Sequence, residues 1–211
     1  MDDLNAWEKR IQQRHPEFEN EVDETEFFNQ WHFTGRFVDH GSNSAVCGLC
    51  GNSKLRYHFL IAHRETGEAL WVGSQCVLNF GVSGRLVNQK QRSARQDEAP
   101  AASEENVLQL VNQLQNVYQL VTRSDQRKIR WLVGKFQQRG AFSPKDTAWL
   151  FQVMLICGVR PDFAAFPLTL RTKKDRAELA ELSLTARRLI APSLTEEQRT
   201  ECANRGIDLG E

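Results

Sequence analysis

The sequence predicts an α+β fold, in which a small module of cysteine turn, β-hairpin and helix is followed by a mainly α-helical bundle. Three observations predict it. The stretch CGLCGNSKLRYHFLIAHRETGEALWVGSQC, residues 47–76, gathers three of the five cysteines. Within it the runs LRYHFLIA and ALWVG are rich in β-formers and are separated by the turn-prone RETGE. From Ser103 onward, by contrast, apolar residues recur at helical spacing. The expected division is an N-terminal helix plus the cysteine module over 1–90, a linker over 91–105 and a helical domain over 106–211.

Taken in order, DLNAWEKRIQQRHPEF reads as a short helix with Leu4, Trp7 and Ile11 on one face, ended by Pro16. The acidic EFENEVDETE is expected to link it to FFNQWHFTGRFVD, an aromatic run of strand character. Trp7, Trp31, Phe33 and Phe37 are expected to pack together beside the cysteine module, and Trp71 to cover it. SQCVLNF reads as a helix start with Ser74 as N-cap. QKQRSARQDEAPAASEE has no apolar periodicity and is the linker. SEENVLQLVNQLQNVYQLV then carries Val107, Leu110, Val111, Leu114, Val117, Tyr118 and Val121 on one stripe. SDQRKIRWLVGKFQQRG repeats the pattern with Ile129, Leu132, Val133 and Phe136 and stops at Gly140. SPKDTAWLFQVMLICG has Ser143 as N-cap, Pro144 at the first helical position and an apolar surface nearly all round, which makes it the expected buried centre. KKDRAELAELSLTARRLI and SLTEEQRTECANRG are two further amphipathic helices, the second opening with a capping box from Ser193 to Glu196.

A chain of 211 residues, 40% hydrophobic and 26% charged, is large enough to bury a core. It has no run near the ~18 apolar residues of a membrane span. Its first residues, MDDLNAWEKR, are acidic and polar where a signal peptide is basic and then apolar, so the cytoplasm is the expected compartment and no membrane partner is expected. The formal charge is zero but unevenly spread: residues 1–50 carry 4 basic and 10 acidic side chains, residues 51–150 carry 14 and 8. A neutral whole thus hides a basic middle.

In a reducing compartment a Cys-x-x-Cys pair points to metal or redox chemistry rather than a structural disulfide. Redox motifs of this kind open a helix after a βα unit, whereas this one precedes a strand, so metal is the expected use. Zinc is a borderline-soft ion that takes four Cys or His ligands in structural sites. The turn aims Cys47 and Cys50 at one point, Gly51 accepts the strained conformation that follows, and Cys76 at a helix start supplies a third thiolate. Cys157 and Cys202, on apolar and amphipathic helices, read as packing residues. A catalytic zinc needs a base, and no H-x-E or H-E-x-x-H pattern provides one, so the protein is expected not to be an enzyme.

Knuckle, hairpin and a helix bearing a ligand follow one another as in a treble-clef zinc finger, and residues 45–80 resemble one. More narrowly, CGLCG, LRYHFLIAH, TGE and LWVGSQC resemble small zinc proteins of bacterial phages and mobile elements. The resemblance implies a zinc module there and is silent on the rest of the chain. A regular treble clef places two ligands near the helix start, but three residues after Cys76 stands Asn79, so the fourth ligand must come from elsewhere. If LRYHFLIA leaves the knuckle extended, at about 3.3 Å per residue, His63 sits on the order of 25 Å away at the hairpin tip and His58 about halfway. His40, across the GSNSAV stretch, reaches without strain and is the first candidate. His63, part of the phage-like pattern, is the second; His58, water or another residue stay open.

Between Arg123 and Lys145 there are seven basic residues and one acidic residue, Asp125. Opposite the apolar face of that helix lie Arg127, Trp131 and Lys135 at i, i+4 spacing, the pattern of a base-stacking contact flanked by phosphate contacts. Residues 54–95 are basic as well, with Arg56 and Arg92 the cations expected to touch phosphates. The expected function is therefore a zinc protein that contacts nucleic acid, DNA in the first place. The alternative is a zinc-stabilised adaptor that docks a protein partner.

Overall fold

The computed structural model of the chain describes residues 6–15, 21–81 and 103–210. Among these, the architecture is α+β: nine α-helices and one three-stranded antiparallel sheet in the order β1-β2-β3. The chain divides into two compact units, Met1–Gln115 and Asn116–Glu211. Most of the expected linker, and Arg92 with it, lies outside the described residues. No helix among the described residues is long and apolar enough to cross a membrane.

The first unit opens with α1 (Ala6–Arg14), whose Trp7 and Ile11 are buried as their spacing requires. The acidic stretch expected to be a linker is instead helical over its second half, as α2 (Glu21–Gln30). What holds α2 is aromatic packing at its end. Phe27 lies 5.7 Å from His15 and 5.9 Å from Trp31, and Phe28 meets Phe80 edge-on at 5.2 Å. Strand β1 (Trp31–Asp39) thus begins at Trp31 rather than at Phe27. It pairs with β2 (Tyr57–His63), and β2 pairs with β3 (Ala69–Gly73) around the RETGE turn, as the hairpin pattern predicts. Alternation buries Trp31 and Phe33 of β1 with Tyr57, Phe59 and Ile61 of β2. Phe33 and Phe37 both pack on Phe59, whereas Trp31 stands edge-on to His63, so the four aromatics expected to cluster divide between different neighbours.

A single turn of helix, α3 (Ser74–Val77), follows β3 directly. Gly73, not Ser74, is the N-cap; Ser74 sits one residue inside, buried. The turn ends at once, because the N–H groups of Asn79 and Phe80 close back on Cys76 and Val77. Helix α4 (Ser103–Tyr118) buries its predicted stripe, and within the first unit Gln115 donates 2.7 Å hydrogen bonds to the carbonyls of both Val77 and Phe80. The first unit accordingly includes α4 up to Gln115.

In the second unit α5 (Arg123–Arg139) is bounded by Thr122, whose hydroxyl accepts from the Asp125 N–H, and by Gly140 at φ +70°. Helix α6 (Pro144–Ile156) starts with Ser143 as N-cap and Pro144 at the first position, as read from the sequence. It packs on α7 (Lys173–Glu181) and α8 (Leu184–Ile190). Its centre is buried, but its last turn exposes Leu155 (50%) and Ile156 (85%), so it is not enclosed all round. KKDRAELAELSLTARRLI is two helices and not one. Ser183 is extended, and its hydroxyl caps α8 through the Ala186 N–H. In α9 (Glu196–Asn204) the capping box is Thr195 with Gln198, two residues beyond the expected pair, because Ser193 belongs to the 3-10 turn Ala191–Ser193 while Thr195 has the extended backbone an N-cap needs.

Candidate metal centre

Cys47, Cys50 and Cys76 converge. Their sulfurs all lie within 4.8 Å of one another, and all three residues are buried. The knuckle is closed by the Gly51 N–H bonding the Cys47 carbonyl, with Gly51 at φ +70°, the left-handed conformation expected of it. The knuckle is pinned to the hairpin by the Gly48 N–H on the Trp71 carbonyl. Strand β3 then runs straight into α3, which brings Cys76 to within 3.6 Å of Cys47, sulfur to sulfur.

That distance decides between two chemistries. A disulfide is about 2.05 Å long, and all three cysteines are free. Thiolates around one tetrahedral ion at about 2.3 Å stand about 3.8 Å apart, close to what is seen. The donor set fits a metal ion held by three sulfurs. The surroundings fit thiolates too: the N–H of Gly73 (3.3 Å) and of Cys50 (3.5 Å) donate to the Cys47 sulfur, and the indole N–H of Trp7 donates to the Cys76 sulfur at 3.2 Å. Without an ion, the thiols of Cys47 and Cys76 hydrogen-bond to Cys50 and pull its pKa down to about 2. The same bonds, with burial, push Cys76 well up, and Cys47 is raised by its bond to Cys50. An ion that binds all three sulfurs as thiolates displaces protons.

The expected fourth ligand, His40, is not in this group of sulfurs. Its Nε2 lies 3.2 Å from Nδ1 of His58, and Nε2 of His58 lies 3.0 Å from the Val46 carbonyl. His58 is register partner of Gly73 on the hairpin and stacks on Trp71, so its ring is committed to the sheet. Burial keeps the His58 pKa below the ordinary histidine value. His63 ends β2, where its Nδ1 accepts from the N–H groups of Glu65 and Thr66. It lies outside the group as well, for the reason the strand arithmetic gave: β2 carries it to the hairpin tip. Trp71, expected to cover the cysteines, covers His58 instead.

What the sequence did not disclose is that the arginines of α1 face the cysteines with Trp7. Trp7, Arg10 and Arg14, spaced i, i+3 and i+7, form one stripe. Trp7 reaches Cys76, the Arg10 charge lowers the Cys50 pKa further, and Arg14 Nη2 donates to the Gly48 carbonyl at 3.3 Å. The stripe itself was the available signal: two cations on the face of a short helix that also carries its buried Trp and Ile.

Of the residues expected to touch nucleic acid, Arg56 is bound to Asp39 through two nitrogens, at 2.9 and 2.8 Å, and lies over the Tyr57 ring. These bonds hold the Asp39 carboxyl below its usual range. A lowered folded-state value contributes stability above the unfolded value of about 3.9, and that stability is lost as pH falls through the folded one. Asp39→Asn should therefore cost about 1 kcal/mol at pH 7. Urea melts at stepwise lower pH should show the difference from wild type shrinking once pH drops below about 4.

Trp131 stands on α5 opposite the buried Ile129, Leu132, Val133 and Phe136, and is 55% exposed. Lys135 Nζ lies 4.2 Å from its ring centroid and 2.6 Å from Asp146 Oδ2. Arg127 shares that face and is half-buried. Arg130, by contrast, is buried against the Tyr118 ring, and Lys128 lies over Trp149, so these two cations serve the fold. No protein-family model, curated protein or solved structure matches the chain.

Proposed function

We propose that the protein is a non-enzymatic zinc protein that contacts nucleic acid, DNA in the first place. A structural zinc centre of treble-clef type shapes its first unit, and the Arg127, Trp131 and Lys135 face of α5 makes the contact. The observation that carries the zinc reading is the convergence of three buried sulfurs from a knuckle and a helix start. The order of knuckle, hairpin and ligand-bearing helix supports the treble-clef assignment. For nucleic acid, the supporting observation is a tryptophan more than half exposed on the basic face of α5. An exposed indole costs solubility and suits stacking on a base. Purified protein should carry one equivalent of zinc. It should bind a fluorescent DNA oligonucleotide at ~50 mM salt with an affinity that falls steeply with added salt. Trp131→Ala should weaken that binding about 5- to 100-fold, as one lost stack of ~1–3 kcal/mol requires. Absence of binding to single- and double-stranded DNA and to RNA ends the nucleic-acid reading.

The second reading is a zinc-stabilised adaptor for a protein partner, favoured by Leu155 and Ile156 exposed side by side at the end of α6. It expects no salt-sensitive DNA binding. It also expects a pull-down complex that is lost in a Leu155→Ser, Ile156→Ser double variant.

A further inference from the structure

The second unit carries an open groove of about 940 Å³, walled by the C-terminal end of α5, the turn after it, and the segment leading into α7. Four cations line it, Lys135, Arg139, Arg171 and Lys174, against the carboxylates of Asp175 and Glu178. Of the two acids only Asp175 is fully engaged, since Glu178 Oε2 is buried without a hydrogen-bond partner. Asp175 is buried and accepts from the Thr172 N–H at 3.0 Å as part of the α7 capping box. Glu178 meets Lys174 at a loose 4.0 Å. Lys135 is spent on Asp146. Arg139 and Arg171 are different: among the described residues neither guanidinium has an ion pair or hydrogen-bond partner, and both residues are exposed. Lys174, its side chain 84% exposed, stays at long range with Glu178 and is not one of the phosphate-binding groups.

Trp131, Lys135 and Arg139 follow one another at i, i+4 and i+8 along one face of α5. Eight residues of helix span about 12 Å, or roughly three to four nucleotides of stacked strand at 3.4 Å each. We infer that this groove holds the phosphate backbone of a single-stranded nucleic acid whose base stacks on Trp131. The inference rests on the nucleic-acid reading above and replaces Lys135, neutralised by Asp146, with Arg139 and Arg171 as the phosphate-binding groups. Guanidinium suits the task, since its planar fork donates two parallel hydrogen bonds to a phosphate. A duplex hides its bases from an indole; a single strand presents them.

The test uses the full chain and fluorescence anisotropy with a 12-residue oligo-dT, the matching oligo-rU, a duplex of the same length, and polyglutamate as competitor. The variants are Trp131→Ala, the double Arg139→Gln, Arg171→Gln, and Lys145→Gln, which removes a charge in the same unit outside the groove. Melting curves and circular dichroism matching wild type establish that each is folded. The groove predicts tighter binding of the single strands than of duplex, and at least tenfold weaker binding by the double arginine variant. It also predicts a salt slope shallower by about 1.4 in that variant, two phosphates at ~0.7 each. Trp131→Ala should weaken binding with the slope unchanged, and Lys145→Gln should change neither. If Trp131→Ala loses binding while the double arginine variant binds like wild type, the groove is wrong and the nucleic-acid reading stands. Tighter binding of duplex, or displacement by polyglutamate as effective as by oligo-dT, also overturns the groove. If wild type binds none of the nucleic acids, the functional reading falls and the groove with it.

Discussion

Cys76→Ser is expected to strip the protein of its metal and to unfold the first unit. Cys76 is the cysteine most distant in sequence from the other two, and the three sulfurs sit where β3 runs into α3 and where the knuckle is tied to Trp71. An ion held there closes a loop from residue 47 to residue 76 and fixes both ends of the hairpin. Structural zinc contributes on the order of 10–16 kcal/mol of binding free energy in small zinc domains. A folded domain has only about 5–15 kcal/mol in total, so losing even a part of the metal term is enough to unfold it. Elemental analysis should drop from one equivalent to a small fraction. Amide exchange across β1, β2 and β3 should lose its protection, and a chelator added to wild type should reproduce the effect. If the variant keeps its zinc, the three-sulfur centre is wrong. If it loses zinc but keeps its exchange protection, the metal is not structural.

Trp7→Ala is expected to be the next most damaging change, at about 3–5 kcal/mol, the usual cost of emptying a buried tryptophan site. Trp7 is 6% exposed and joins two functions, filling space beside the knuckle and donating its indole N–H to the Cys76 sulfur. Trp7→Phe separates them, because it keeps most of the ring and removes the donor. Its expected signature is a small loss of thermal stability together with a metal affinity lower by about 10- to 100-fold, the range seen when an outer hydrogen bond to a ligand is removed. Competition with a chromogenic chelator measures the affinity and a thermal melt measures the fold. If Trp7→Phe binds metal like wild type, the N–H···S contact does nothing for the centre.

Three thiolates around a divalent ion would leave the site one charge negative. Arg10 and Arg14, arriving with Trp7 on the same helical stripe, supply compensating charge from a segment 33 or more residues away in sequence from the knuckle they face.

Much was legible in the residues alone because its causes are local. The Cys-x-x-Cys-Gly turn, the hairpin around RETGE, the caps at Ser143 and Gly140, and the buried stripes of α4 and α5 each follow from spacing and backbone preference within a few residues. The approach of the third cysteine was legible for the same reason, since the hairpin returns the chain to the knuckle by its own geometry. The misplaced features are those set by partners distant in sequence. Residues 21–30 are helical through the rings that Phe27 and Phe28 meet, which no window of that acidic segment contains. His40 lost its expected place to a competing nitrogen on β2, and Lys135 lost its free charge to Asp146. Ring stacking, ion pairing and the closure of α1 over the thiols depend on which surfaces meet after folding. A side chain's chemistry is written in the sequence; whether that chemistry is still uncommitted depends on its three-dimensional neighbours.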